Sequence, residues 1–359
     1  MKINNRLQAL RQKLTEKEID AILISQPENR RYLSGFVGTA GFLLITVQEA
    51  ILATDSRYTE QAKAQAHDYR IFRITNNISD WFPQLVAELN LKRLGFEAGH
   101  ITFTVYRELA DIVEEGEFQF GLVPQDELVE SLRIIKEPEE VELITKAAEI
   151  SDAAMEYIQD TIHPGMTEKE AGWEIEKFMR EKGSQAIPFE PIVASGPNSA
   201  LPHARPSQRV IQPGEPIVID SGAKCGGYSS DLTRTIQLGT PDETFKKVYD
   251  AVLKAQLAAL SAIEEGMTGE QADSLARTVI EQAGYGEAFG HGLGHGIGLA
   301  GHEQPRLGPK SEEILRAGMV FSVEPGIYLT GWGGVRIEDL VVMEEGKVSV
   351  ISKARKDLS

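Results

Sequence analysis

Along residues 21–25 (AILIS), 42–47 (FLLITV) and 50–53 (AILA) the apolar positions run almost without interruption, the pattern of short strands buried on both faces. Residues 55–66 (DSRYTEQAKAQA) read as a helix, and 70–74 (RIFRI) and 93–96 (RLGF) as further strands. Strand-like and helix-like segments thus alternate through the first 130 residues, which predicts an α/β layer. No G-x-G-x-x-G follows any of these strands, so the layer carries no nucleotide fingerprint. The opening MKINNRLQALRQKLTEKEID patterns as a charged amphipathic helix and lacks the apolar stretch that a signal peptide needs.

The pattern changes near residue 131. In KEPEEVELITKAAEISDAAMEYIQ, Pro138 stands in the first helical turn beside Glu139 and Glu140. Val141, Ile144, Ala148, Met155 and Ile158 then keep a helical apolar spacing. A long helix and a domain start are expected here, dividing the chain into 1–130 and 131–359. From this point the sequence repeats itself. Residues 165–171 (GMTEKEA) return as 266–272 (GMTGEQA), and 213–222 (PGEPIVIDSG) return as 316–326 (RAGMVFSVEPG). Thr167 and Glu170 predict a capping box opening a helix that runs to Gly183, and TPDE at 240–243 predicts another with proline first. A period of about a hundred residues is too long for a solenoid, so the pattern predicts a duplicated α/β half-domain.

Composition narrows the partners more than the fold. At 359 residues the chain is long for one core, and 42% hydrophobic with 25% charged residues is ordinary for a globular protein. The net charge of −17 predicts neither a nucleic-acid nor an anionic-membrane partner, since phosphate binding needs a basic surface. No apolar run approaches the roughly eighteen residues of a membrane span. The single cysteine, Cys225, excludes an internal disulfide and a multi-cysteine zinc site, and it suits a reducing, cytoplasmic compartment.

Candidate chemistry gathers where apolar strands end in acids. Asp220 closes the run PIVID and Asp231 follows eleven residues later; Glu324 closes VFSVE and Glu338 follows fourteen later. Glycine-rich residues separate each pair, so each predicts a hairpin that delivers two carboxylates to one place. Such carboxylates are costly to bury unless a positive group pairs with them, and Arg234, Arg336 or a divalent metal would serve. Three of the seven histidines, His291, His295 and His302, crowd into GHGLGHGIGLAGHE at 290–303. The His291–His295 spacing imitates a helical zinc motif. Glycines at 290, 292, 294, 296 and 298 argue instead for an extended segment that another backbone or a substrate approaches closely. Four carboxylates and one imidazole are a ligand set for two metal ions about 3.5–4 Å apart. Its oxygen-rich character favours Mn²⁺, Co²⁺ or Zn²⁺.

The ordered set IDSG, SDLTRT, GHGIGL with HE, VEPGIY and RIED resembles the pita-bread metallopeptidases over residues 131–359, above all their Xaa-Pro branch, prolidase and aminopeptidase P. ENRRYLSGF, GTAGFLLIT and DSRYTEQA are similar to the creatinase-type N-terminal domain of that branch. The resemblance implies an α/β creatinase-like domain over 1–130, then an α+β pita-bread catalytic domain with internal pseudo-twofold duplication over 131–359. It makes Asp220 a bidentate ligand of one metal, Asp231 and Glu338 bridges, and His295 and Glu324 ligands of the other metal. His203, His302, Glu324 and Arg336 become catalytic: a metal-bridged hydroxide attacks the scissile carbonyl, Glu324 carries protons, and both histidines face the substrate. Arg306 matches an arginine that grips a substrate carboxylate, or else it makes a loop salt bridge. His291 matches a pocket histidine, and Tyr228 either lines the proline pocket or packs the hairpin. On this reading the alternate glycines leave room for a peptide beside the metals.

The implied activity is hydrolysis of X-Pro bonds in dipeptides or short peptides, as a Xaa-Pro dipeptidase or Xaa-Pro aminopeptidase. Two divalent ions are implied, Mn²⁺ first and Co²⁺ or Zn²⁺ otherwise, in a cytoplasmic homodimer. A methionine-aminopeptidase-like exopeptidase is the alternative within the fold, but simple ones lack the N-terminal domain. Creatinase-like amidinohydrolases and binding modules share the fold without metals. Loss of ligands would mark those relatives, and here all five stand.

Overall fold

The apolar runs of the N-terminal part pair into one sheet. The structure, a computed structural model, describes residues 3–75, 77–116, 118 and 120–356. The chain divides into two compact units, Met1–Arg133 and Ile134–Ser359. In the first, β1 (Ala21–Ile24), β2 (Phe42–Thr46), β3 (Ala50–Thr54), β4 (Arg70–Arg73), β5 (Arg93–Glu97) and β6 (Gly121–Gln125) lie in the order β4-β3-β2-β1-β5-β6. β1, β5 and β6 run parallel, as do β3 and β4, while β2 is antiparallel to both its neighbours. Helices α1 (Ile3–Glu16), α2 (Pro27–Ser34), α3 (Thr59–Gln65), α4 (Ile78–Val86), α5 (Phe103–Glu115) and α6 (Glu130–Arg133) alternate with them along the chain. Leu7, Leu10 and Leu14 bury one face of α1, as its amphipathic pattern requires. The helix expected over 55–66 begins only at Thr59, because the Asp55 carboxylate accepts from the Arg57 N–H (2.9 Å) and guanidinium and holds a turn there. Helices α2, α4 and α5 have no counterpart among the predicted elements. Pro27 and Pro83 read as breaks in a sequence, and α5 buries only Leu109.

The second unit is built twice over. In its first half α7 (Pro138–Thr161) and α8 (Glu168–Glu181) lead into β7 (Ile192–Ser195), β8 (Pro216–Ser221), β9 (Lys224–Cys225), β10 (Tyr228–Ser229) and β11 (Leu232–Gln237). In its second half α9 (Glu243–Ala262) and α10 (Gly269–Gln282) lead into β12 (Gly294–Gly296), β13 (Glu303–Leu307), β14 (Val320–Val323), β15 (Gly326–Leu329), β16 (Gly333–Arg336), β17 (Asp339–Glu344) and β18 (Lys347–Val350). The antiparallel trio β7-β8-β11 of the first half corresponds to β12-β14-β17 of the second. A small hairpin, β9–β10 or β15–β16, stands between the long arms of each.

Local chemistry explains the repeat. Thr167 and Thr268 each accept the N–H of the third helical residue at 3.1 Å, and the side chains of Glu170 and Gln271 accept back at 2.8 Å. Each half also keeps its own apolar cluster, with Met155, Ile175 and Ile219 in one and Phe245, Val252 and Phe321 in the other. The start of α9 corrects the reading of TPDE. Asp242, not Thr240, is the cap, since its Oδ1 accepts from the Phe245 N–H at 2.7 Å, and Pro241 therefore precedes the helix. The last described residues fold back on both halves. Lys353 and Ala354 donate their N–H groups to Asp152 at 2.9 Å each, and Arg234 donates to the carbonyls of Glu338, Ala354 and Arg355.

Candidate metal centre

Strand register brings the four acids together. Asp220 lies opposite Thr233 and Ser221 opposite Leu232, so Asp231 stands at the same end of the hairpin. Val323 lies opposite Asp339, which puts Glu324 and Glu338 at the equivalent end of β14 and β17. Gly226 and Gly227 turn the small hairpin with left-handed φ of 56° and 86°, as its two-residue loop demands. The halves are stitched at this place. The Glu338 N–H donates to the Thr233 carbonyl (3.1 Å), and the Thr233 hydroxyl donates to Glu338 Oε2 (2.7 Å). Asp220, Asp231, His295, Glu324 and Glu338 all line one cavity of about 590 Å³, with His203, His291, His302, Arg306 and Arg336 on its walls.

Asp231, His295 and Glu338 each offer a ligand atom, and the three atoms lie within 4.8 Å of one another. His295 Nε2 is 3.3 Å from Glu324 Oε1 and 3.7 Å from Asp231 Oδ2. Its Nδ1 lies 3.0 Å from the Gly296 carbonyl, which only accepts, so Nδ1 carries the proton and Nε2 keeps its lone pair. Burial holds the Asp231, Glu324 and Glu338 carboxyls above the usual range. Neighbouring negative charge adds to this at Asp231 and Glu338, whereas His291 and Arg336 pull Glu324 back. Burial pushes the His295 imidazole down. A cation relieves all of these at once. Asp220 Oδ1, Asp231 Oδ1 and Glu338 Oε1 are moreover buried without a hydrogen-bond partner. Orphaned carboxylate oxygens around one cavity, beside an imidazole presenting a lone pair, fit divalent metal ions.

Arg336 supplies part of the positive charge. It donates to Asp220 Oδ2 (2.7 Å), to the hydroxyls of Thr233 (3.1 Å) and Tyr328 (3.0 Å), and to the Pro202 carbonyl (3.2 Å). The Tyr328 hydroxyl lies 2.9 Å from His291 Nε2, so His291 joins the same chain of contacts. Asp220 keeps one bare oxygen, Oδ1, because Oδ2 accepts from Arg336. Arg234, the other candidate partner, pairs instead with Asp339 at 2.8 Å.

The histidines and glycines divide differently from the first impression. His302 stacks on His295 with ring centroids 3.8 Å apart, while His203 and Arg306 are exposed on the cavity wall. Tyr228 does not line the cavity: its hydroxyl donates to Glu140 on α7 at 2.5 Å and its side chain is buried, so it packs the hairpin. The glycine stripe also needs correction. A Cβ on Gly294 would come within 2.0 Å of the Ser322 carbonyl oxygen, and one on Gly296 within 2.0 Å of that of Gln304. These glycines admit the neighbouring backbone, not a peptide.

Sequence reasoning passed over Phe189, Ile192 and Pro202, which also line the wall. It also passed over Ser322, which donates to Glu324 Oε1 at 2.9 Å, and over Thr233 and Tyr328. A signal for these three existed, since each is a polar residue inside a quoted strand motif.

Residues 142–345 match the family model of metallopeptidase family M24, and residues 6–135 match that of the creatinase/prolidase N-terminal domain. The chain is 40% identical to an uncharacterized peptidase, YqhT, of Bacillus subtilis strain 168, over 98% of this chain and 99% of that protein. It is similar to the solved structure of a Xaa-Pro dipeptidase from Bacillus anthracis, at 43% identity and a TM-score of 0.95 over 99% of each chain. It is also similar to that of an X-Pro aminopeptidase from Thermotoga maritima MSB8, at 38% identity and a TM-score of 0.86 over 95% and 97% of the two chains.

Proposed function

The chain belongs to metallopeptidase family M24, with a creatinase/prolidase-type N-terminal domain ahead of the catalytic one, and we propose that it hydrolyses X-Pro bonds of dipeptides or short peptides with two divalent ions. It is a metallo-exopeptidase. The observation that carries the fuller reading is the set of three buried, unpartnered carboxylate oxygens on the wall that also bears His295. Asp220, Asp231, His295, Glu324 and Glu338 would hold the metals. Mn²⁺ is the first choice for four carboxylates and one imidazole, before Co²⁺ or Zn²⁺. Bound there, divalent ions lower the pKa of water and polarise a carbonyl.

The chain's own residues supply the rest. Ser322 orients Glu324 through Oε1. The Glu324 carboxylate, on the cavity wall beside His295, suits a group that takes a proton and returns it to the leaving nitrogen. His302 and His203 present imidazoles to the substrate, and Arg336 fixes Asp220 and, through Tyr328, His291. Phe189 and Ile192 offer the apolar wall that a proline ring requires. Arg306, on the cavity wall, would offer its guanidinium to a free C-terminal carboxylate, which would favour dipeptides. Among the described residues no helix is long and apolar enough to cross a membrane. A cytoplasmic homodimer is the proposed setting, and light scattering checks the dimer.

Metal analysis combined with cleavage of Ala-Pro and Ala-Pro-Ala tests the reading. About two ions per chain and faster release from Ala-Pro are expected. Faster cleavage of Ala-Pro-Ala would make it an aminopeptidase instead, and no hydrolysis of either with Mn²⁺ or Co²⁺ would sink the proposal.

A further inference from the structure

Glu303 follows His302 directly and takes no part in the function as read so far. Its carboxylate meets the Lys136 ammonium at 2.8 Å, with only 8% and 1% of the two side chains exposed. An ion pair so far out of water is a poor source of stability, so its location calls for another reason. The pair joins distant segments. Lys136 lies just before α7 and is itself tied down, its N–H donating to the Gly318 carbonyl at 2.8 Å. Glu303 ends the loop that leaves β12. That loop is pinned upstream, where the Ile297 N–H donates to the Val320 carbonyl (3.2 Å) and the Ser229 N–H to that of Gly298 (2.8 Å). A Cβ on Gly298 would lie 2.4 Å from Glu303 Oε1, so the last glycine of the stripe makes room for this carboxylate. Between the two anchors His302 stands exposed, its ring resting on that of His295.

We propose that Lys136 and Glu303 are positioning residues, whose buried pair fixes the loop 297–302 so that His302 stays over His295 and faces the substrate. The inference rests on reading His302 as a substrate-facing group. Two variants test it: Glu303→Gln, and the pair Lys136→Met with Glu303→Gln, which leaves no lone buried charge if the single change prevents folding.

Hydrogen exchange of the metal-free protein should speed up in residues 297–303 and stay unchanged elsewhere. The kcat for Ala-Pro should fall roughly 10–100-fold, with KM and calorimetric Mn²⁺ affinity unchanged. Added to His302→Ala, Glu303→Gln should cost nothing further, because it acts through that ring. Unchanged exchange in the loop, additive losses of kcat, or loss of Mn²⁺ affinity along with activity would each overturn the proposal. If the unaltered protein cleaves no X-Pro substrate, the functional reading fails, and the exchange measurement still decides whether the pair holds the loop.

Discussion

Asp231 and Glu338 must carry charge in a place that disfavours charge. Both keep their protons to higher pH than free carboxyls, first because of burial and then because of the acids beside them. His295 behaves oppositely and is neutral at lower pH than a free imidazole. The acids therefore set the pH at which a cation binds, and affinity should rise with pH above about 4, where free carboxyls ionise. Mn²⁺ calorimetry from mildly acidic to neutral pH, in buffers of differing ionisation enthalpy, should show tighter binding and proton release; pH-independent affinity would contradict this. The sign for stability is the reverse. The folded, metal-free protein binds protons that the unfolded chain has released, so its stability falls as pH rises through the raised carboxyl values. Asp231→Asn should lower metal affinity and activity by more than the roughly 10–100-fold typical of outer-shell partners. Retained full activity would refute the ligand assignment.

At the scale of elements, loops are held by carboxylates that look unremarkable in the sequence. Glu168 opens α8 with its side chain buried. It accepts the N–H groups of Ser195 (2.7 Å) and Ser207 (3.1 Å), both their hydroxyls, and the Asn198 amide. It thereby secures both ends of the loop that carries His203. Glu168→Gln should destabilise the protein by about 2–3 kcal/mol, since charge-assisted hydrogen bonds are lost where water does not replace them. Denaturant unfolding measures this, and Mn²⁺ affinity should be unaffected. Glu168 was not legible because it sits inside GMTEKEA, where an acid in a first helical turn already has an explanation. The acid-bearing hairpins were legible for the opposite reason. An acid at the end of PIVID or VFSVE violates the apolar pattern, and the violation occurs twice in the same order. The glycine stripe was misread, and Tyr228 left with two readings, because sequence shows that a residue is special and not which neighbour makes it so. Ser322 and Gln304, which need the bare glycines, lie on other strands.

At the scale of the molecule, alternation in the first unit and duplication in the second could both be read in advance, and the order of strands within the sheets could not. Nothing in AILIS or FLLITV tells that β1 pairs with β2 on one side and β5 on the other. The duplication has a consequence for how the second unit holds together. Its halves touch at the candidate ligands, at Thr233–Glu338 and Arg336–Asp220, and also through Arg234–Asp339 and Asp152–Lys353, and are joined in the chain by an exposed link at Gly239 and Thr240. On the proposed ligand assignment, a chain cut between those two residues would become two fragments, each holding part of the metal site. Mass action would then make their association tighten as Mn²⁺ is added and loosen with a chelator. Severed in that way, the peptidase would serve as a sensor that reports metal concentration as fragment assembly, readable by size-exclusion chromatography without any substrate.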